Sequence, residues 1–332
     1  MNGWSLKPII RSLTEQDLLE ADRICRLSFG TFLGLPDPMS FYGDADIIAT
    51  RYRADPPLAI AAEVDAKLVG TNFIANWGSV GVFGPLTIDP FFWDKGIARH
   101  LLDKTMEIFE KLHTNHAGLF TFSHSPKHLH LYQKYDFWPR FLTSVMSKPI
   151  IPETYNQAKT SEETSIGWSK YSSIQRKEQR AKIKGICTSL TNSIYEGLDL
   201  TIEIESVANQ KLGDTILLND IKQGELIGLA ICHCGAHTEA GSDNCYVKFG
   251  TAVNSEDYSA AENFSRLLES CEFFAACQGL SKLTAGINVG NSGAYKKMIS
   301  TGFKTDFQGV MMTKNNDPGY HTEEIYAIDD WR

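Results

Sequence analysis

No stretch of the 332-residue chain approaches about 18 uninterrupted apolar residues, so no membrane-spanning helix is expected. The opening "MNGWSLKPIIRSLTEQDLL" lacks the apolar core of a signal peptide. There is no basic excess: 32 Lys and Arg stand against 40 Asp and Glu, for a formal charge of −8, which argues against general nucleic-acid binding. Cysteines are few and odd in number, seven in all, scattered without a disulfide-like framework. That excludes a small stapled secreted fold and points to a reducing cytoplasm. Neither of the glycine-rich patterns that hold nucleotides, G-x-x-x-x-G-K-[ST] and G-x-G-x-x-G, is present.

What remains is ordinary for a globular protein: 42% apolar and 22% charged residues, enough for one large core or two. Residues up to about 148 read as mixed α/β. "KPIIRSL" reads as a strand, and Thr14 with Asp17 three residues on reads as a capping box opening a helix. "LAIAAEV" and "LVGTNFIANW" form a hairpin turning at Asp65–Lys67, and "SVGVFGPLTI" is one further strand. "GIARHLLDKTMEIFEKLH" carries apolar residues near the 3.6 period of a helix. "HAGLFTFS", "PKHLHLYQKY" and "FWPRFLTSVMSKP" read as strand, helix and strand. Residues 149–170 lose periodicity and are read as a linker. The basic run from Arg176 to Lys184 is a solvated helix face. After about residue 200 a strand-rich order returns, beginning with "DLTIEIE". "YQKYDFWPRFLTSVMSKP" in the first half is echoed by "YKKMISTGFKTDFQGVMMTK" in the second, which implies two similar domains in tandem.

Chemistry concentrates in "PLTIDPFFWDKGIARHLLD". A strand, a turn and a helix start near Gly96 expose the helix's first N–H groups, which have no partner within the helix and favour an anion. Gly96 allows close approach, Ala98 keeps the wall low, and Lys95 and Arg99 add positive charge.

The stretch "IDPFFWDKGIARHLL" resembles the acetyl-CoA signature of the GNAT superfamily of N-acetyltransferases, Val-x-Pro-x-x-Arg/Gln-x-x-Gly-x-Gly/Ala. Ile88, Pro90, Gly96 and Ala98 fall on its key positions, and Trp93 replaces the usual Arg or Gln. The resemblance implies that Asp94, Lys95, Gly96, Ile97, Ala98 and Arg99 line the coenzyme A diphosphate, with Leu86, Thr87 and Ile88 along the pantetheine arm. "FSHSPKHLHLYQKYDF" resembles the family's later motif, with Tyr132 on its tyrosine, Phe137 on its phenylalanine, and Asp136 replacing glycine. It implies that Tyr132 is the general acid for the departing thiolate. A base is also needed, because an ammonium cannot attack a thioester. No acidic residue lies between Val80 and Ile88, so His124, where the sheet is expected to splay, is the candidate. His128 and His130 are read as surface or core residues, and the three histidines lack a supporting ligand set, so no metal is expected. Strand alternation sends Cys232 and Cys234 to one face and His233 to the other, the cysteines as core residues.

The resemblance is weaker after residue 170. The helix "SAAENFSRLLESCEFFAA" follows Glu256 and Asp257 rather than glycine and cations, so the second domain is expected to have the fold without the cofactor grip. The expectation is an α/β protein with mixed sheets, made of two tandem GNAT-like folds: 1–148 with the acetyl-CoA site, a linker at 149–170, and a degenerate domain at 171–332. Its activity would be direct acetyl transfer from acetyl-CoA to a small-molecule or peptide amine, without nucleic acid, membrane or metal, and with homodimer formation left open. The alternative is a non-catalytic acyl-CoA sensor or scaffold.

Overall fold

Elements of the first half run β1 (Ile9–Ser12), α1 (Leu18–Leu33), α2 (Ile48–Ala54), β2 (Ala59–Val64), β3 (Lys67–Trp77), β4 (Val80–Phe83), β5 (Thr87–Ile88), α3 (Ile97–Lys111), β6 (His116–Thr121), α4 (Pro126–Gln133) and β7 (Phe137–Pro149). The second half runs β8 (Ile166–Lys170), α5 (Lys177–Ile194), α6 (Thr201–Gln210), β9 (Gly213–Asp220), β10 (Glu225–Gly235), β11 (Gly241–Ala252), α7 (Ala260–Cys277), β12 (Lys282–Asn288), α8 (Ser292–Ser300), β13 (Lys304–Lys314) and β14 (Tyr326–Asp329). The structure, a computed structural model, describes residues 7–151 and 165–332. From β2 to β7 and from β9 to β13 the order strand, strand, strand, helix, strand, helix, strand recurs, interrupted in the first half only by β5.

Local chemistry accounts for most of these elements. Asp17 accepts hydrogen bonds from the Thr14 N–H at 2.9 Å and the Thr14 hydroxyl at 2.7 Å, forming the capping box ahead of α1. The β2–β3 turn falls on Asp65 and Ala66, both with positive φ. In α3, Ile97, Leu101, Leu102 and Phe109 are buried along one stripe.

Three local readings need correction. "SVGVFGPLTI" is two strands, broken at Gly84–Pro85, because proline has no N–H to give a ladder. "DLTIEIE" is the start of α6: Asp199 accepts the Thr201 N–H at 2.8 Å, and Glu203, Ile204 and Val207 are buried at helical spacing. The buried Glu203 carboxylate is held by Trp77 Nε1 at 3.0 Å and Lys248 Nζ at 3.0 Å, partners that local pattern cannot reveal. Finally, Ile166–Lys170, within the expected linker, is a strand paired with β9; residues 152–164 of that linker lie outside the described residues.

The strands join one sheet in the order β1-β2-β3-β4-β6-β13-β7-β12-β11-β10-β9-β8. Its centre is an exchange. β13, from the second half, pairs antiparallel with β6 of the first (Val310 opposite Thr121). β7, from the first half, pairs antiparallel with β12 of the second (Ala285 opposite Met146). The two exchanged strands also pair with each other, so the two segments that echo one another in sequence meet in the middle of the sheet. Each half thus completes the other's sheet.

Candidate active site

β4 and β6 run parallel only from Val80 opposite His116 to Val82 opposite Gly118. Beyond that the two strands part: β6 continues paired only with β13 on its opposite edge, and the continuation of β4 resumes as β5. β5 pairs with β3 on one side, Thr71 opposite Thr87 and Gly70 opposite Ile88. On its other side no strand pairs with it among the described residues. A cleft of about 530 Å³ opens at this splay, walled by α1, by the turn before α3 and by α4.

The turn is built to present main-chain donors. Asp89 accepts the Phe91 N–H at 2.9 Å, and the Trp93 indole N–H donates to the Ile88 carbonyl at 2.7 Å. Trp93 is also packed against the cluster formed by Ile60, Val69, Ile88, Ile97 and Leu101. The chain then enters α3 through Gly96 at φ 82°, a left-handed conformation costly for residues with a Cβ. The Arg99 N–H bonds back to the Gly96 carbonyl at 3.2 Å, so the amides of Ile97 and Ala98 precede the first bond of the helix. The first turn of α3 contains no acidic residue. Lys95 Nζ lies 4.5 Å and 4.7 Å from the ring centres of Phe91 and Phe92, which hold the cation beside the turn. Asp94 is turned outward to an exposed ion pair with Lys127 at 2.7 Å, so its charge is offset.

The matching helix of the second half is closed to an anion by its own side chains. Glu262 accepts the Ser259 N–H at 2.9 Å and hydroxyl at 2.7 Å, so a carboxylate already sits at the start of α7. The splay there is filled as well. Counting from the last parallel pair, Val82 in one half and Val247 in the other, Gly84–Thr87 correspond to Phe249–Ala252. In the second half that edge is taken by β14, with Phe249 opposite Asp329 and Ala252 opposite Tyr326. The C-terminal segment thus packs back on the sheet, its strand occupying the place left open in the first half.

Of the residues expected at the site, Leu86, Ile88 and the run from Asp94 to Arg99 line the cleft. Thr87 does not: its side chain is buried on the far side, its hydroxyl 3.0 Å from that of Thr71. Tyr132 lines the cleft from α4, with its ring 5.8 Å from that of Phe83. Burial pushes its phenol pKa well above the ordinary value, so the hydroxyl keeps its proton at physiological pH. His124 does not line the cleft. It is exposed in the loop after β6, one residue before the N-cap Ser125, with its ring 6.0 Å from that of Phe32. His128 lines the cleft instead. It stands four residues before Tyr132, on the same face of α4. Its Nδ1 is buried without a hydrogen-bond partner, and burial, reinforced by Lys127, lowers its pKa, so the imidazole is neutral at pH 7. Helical spacing from Tyr132 was the signal that could have identified it.

Among the described residues no cluster of three or more His, Cys, Asp or Glu side chains is arranged to hold a metal ion, and no helix is long and apolar enough to cross a membrane.

A parallel splay that opens onto a helix N-terminus, repeated twice with exchanged strands, defines a tandem GNAT fold. The acetyltransferase (GNAT) family profile matches residues 23–137, the segment that carries the cleft. The fold of the chain is shared with a putative acetyltransferase from Pyrococcus horikoshii (14% identity, TM-score 0.66, 100% of this chain and 96% of that one). It is shared too with a GCN5-related N-acetyltransferase from Sphaerobacter thermophilus (12% identity, TM-score 0.59, 94% and 96%). A third similar structure is a tandem GNAT protein from the clavulanic acid biosynthesis pathway (11% identity, TM-score 0.57, 94% and 100%). No curated protein matches the chain by sequence.

Proposed function

We propose that the protein transfers an acetyl group from acetyl-CoA directly to the amine of a small molecule or peptide, in the first-half cleft. The observation that carries this reading is that one cleft joins an anion-ready helix start at Gly96 to a buried, protonated phenol at Tyr132.

The donor set fits coenzyme A. Main-chain N–H groups at Gly96, Ile97 and Ala98, with Lys95 and Arg99 beside them, suit a diphosphate. The free edge of Leu86–Ile88 suits an amide-bearing arm, which would pair as a strand does. Bound there, acetyl-CoA supplies a thioester already activated toward an amine. The chain's part is to orient it and to move protons. His128, neutral at pH 7, takes the proton that the attacking amine loses as its nitrogen bonds to the carbonyl carbon. Tyr132 donates its proton to the sulfur as the carbon–sulfur bond breaks. His124, outside the cleft wall, has no part in this scheme.

The second half has its helix start capped by Glu262 and its splay filled by β14, which supports a role as structural partner. Seven free thiols suit a cytoplasmic setting. The test is consumption of acetyl-CoA with a panel of amines, together with its effect on the melting temperature. Saturable transfer that is lost in Tyr132→Phe, with thermal stabilisation by acetyl-CoA retained, is the expected result. Absence of both stabilisation and transfer would overturn the reading.

A further inference from the structure

The cleft has a second wall that the cofactor reading does not use. Phe29 and Phe32 line it from the last turns of α1. Their rings begin a chain of contacts: Phe29 with Phe41 at 5.1 Å, Phe29 with Phe122 at 6.0 Å, Phe32 with Phe122 at 4.9 Å, and Phe41 with Tyr42 at 3.8 Å. Three separate segments supply these rings: α1, the loop after it, and the end of β6. Phe32, Phe41, Tyr42 and Phe122 belong to none of the buried clusters among the described residues. Phe32, Phe41 and Phe122 are half-buried and Tyr42 is 38% exposed. Of these rings Phe29 and Phe32 face the cleft, and Phe41, Tyr42 and Phe122 back them, so the wall is aromatic two layers deep.

The wall is held rigid. Arg26 donates to the carbonyls of Phe41 and Gly43 at 2.7 Å each and to that of Ala45 at 2.8 Å, which fixes the loop carrying Phe41 and Tyr42. Preformed apolar walls with few polar groups are what small-ligand sites use. Charge points the same way. Asp94 is the one acidic side chain lining the cleft, and it is paired with Lys127 at the end beside the helix start. The cleft lining thus offers a polycationic acceptor no unpaired carboxylate.

We infer that the acceptor is a monoamine bearing an aromatic ring, an arylalkylamine, whose ring packs on Phe29 and Phe32, backed by Phe122, while its nitrogen reaches toward His128 and Tyr132. This rests on the acetyl-transfer reading for the role of the amine, but the binding surface stands by itself. Phe32 meets the His128 ring at 4.9 Å, so the wall and the proposed base are in contact.

The experiment separates the two. Binding of phenethylamine to the full-length protein, followed by ligand-observed NMR without acetyl-CoA, tests the wall alone; spermidine and an amino sugar serve as comparisons. Expected is saturable phenethylamine binding with the ring protons in closest contact, weakened at least tenfold in Phe32→Ala and by a smaller factor in Phe122→Ala, which removes the ring behind it. Phe32→Leu, which keeps apolar volume but removes the ring face, should weaken it by a smaller factor, with an unchanged melting temperature. Tighter binding of spermidine or the amino sugar, or phenethylamine binding indifferent to both alanine variants, overturns the inference even if acetyl transfer is found. Phenethylamine binding on this wall with no acetyl-CoA stabilisation or transfer would keep the aromatic site and remove the transferase reading.

Discussion

The indole N–H of Trp93 donates to the carbonyl of Ile88 at 2.7 Å, joining the turn before α3 to the last residue of β5. Where the acetyl-CoA signature that this segment resembles has Arg or Gln, this chain carries a strut. It holds the free strand edge and the helix start at one spacing, and under the proposed function the anion would be held by main-chain donors. Trp93→Phe keeps the apolar packing but loses the bond, which should cost about 1 kcal/mol of stability. Acetyl-CoA should bind several-fold more weakly by calorimetry. Trp93→Arg should not improve binding, since the strut is lost with the indole; a large gain in affinity would show that the natural loop is impaired.

Tyr132→Phe should lower kcat by roughly 10²- to 10⁴-fold, the usual range for a lost general acid, while leaving the acetyl-CoA dissociation constant nearly unchanged. As the proposed base, His128 should set the acid side of the rate profile. Its pKa lies below the ordinary value because burial disfavours the charged form. The proton-accepting form therefore persists as pH falls past about 6.5, the unperturbed histidine value, and rates should decline only below it. A kcat/KM profile that already falls between pH 8 and 7 would assign the base elsewhere.

The reciprocal exchange of β7 and β13 ties the halves together. Residues 1–151 expressed alone would leave β6 without β13 and β7 without both β13 and β12, three open edges in positions that are central in the whole sheet. Such a fragment should aggregate or self-associate, measured by light scattering. Mixing it with 165–332 during refolding should recover a one-to-one complex.

Trp331 lies against Gly118, at the last paired position before the splay. A Cβ built on Gly118 would stand 2.1 Å from Cζ3 of the Trp331 ring, too close for any side chain. Gly118→Ala should therefore destabilise by about 1–3 kcal/mol through overpacking. Trp331→Ala should cost about 3–5 kcal/mol through the cavity it leaves. The double variant should be less destabilised than the sum of the two, because the clash is gone; chemical denaturation reads all three.

Stability should fall on acidification. Burial lowers the pKa of His233 to about 4 and that of His321 to about 3. Below about pH 6.5 the unfolded chain takes up protons at these sites and the folded chain does not, so each histidine costs stability as pH falls toward its folded value. For His233 the loss reaches about 3 kcal/mol at pH 4. Asp329, raised to about 7 by burial, acts in the opposite sense: its contribution is present at low pH and is lost as pH rises through 7. Two histidines outweigh one carboxyl, so the denaturation midpoint should drop from pH 6.5 to 4. His233→Gln should flatten that drop.

The sequence alone determined the elements whose signals are short in range. Ile88, Pro90, Gly96 and Ala98 mark a strand, turn and helix because each acts on its own neighbours, and the Thr14–Asp17 capping box and the α3 stripe are local in the same way. The echo between the two Tyr-x-Lys segments likewise exposed a duplicated order. Tertiary structure decided what depends on partners far along the chain. "LTIEIE" alternates like a strand, yet Trp77 and Lys248 bury Glu203 on a helix. His128 rather than His124 reaches the cleft because Ser125 starts α4 between them and fixes which face turns inward. The strand exchange, and the β14 strand that fills one splay while leaving the other open, follow from pairing between segments well over a hundred residues apart in the first case and more than seventy in the second. Edge hydrogen bonding is chemically the same for every strand, so no residue pattern names its partner; packing of the whole chain selects it.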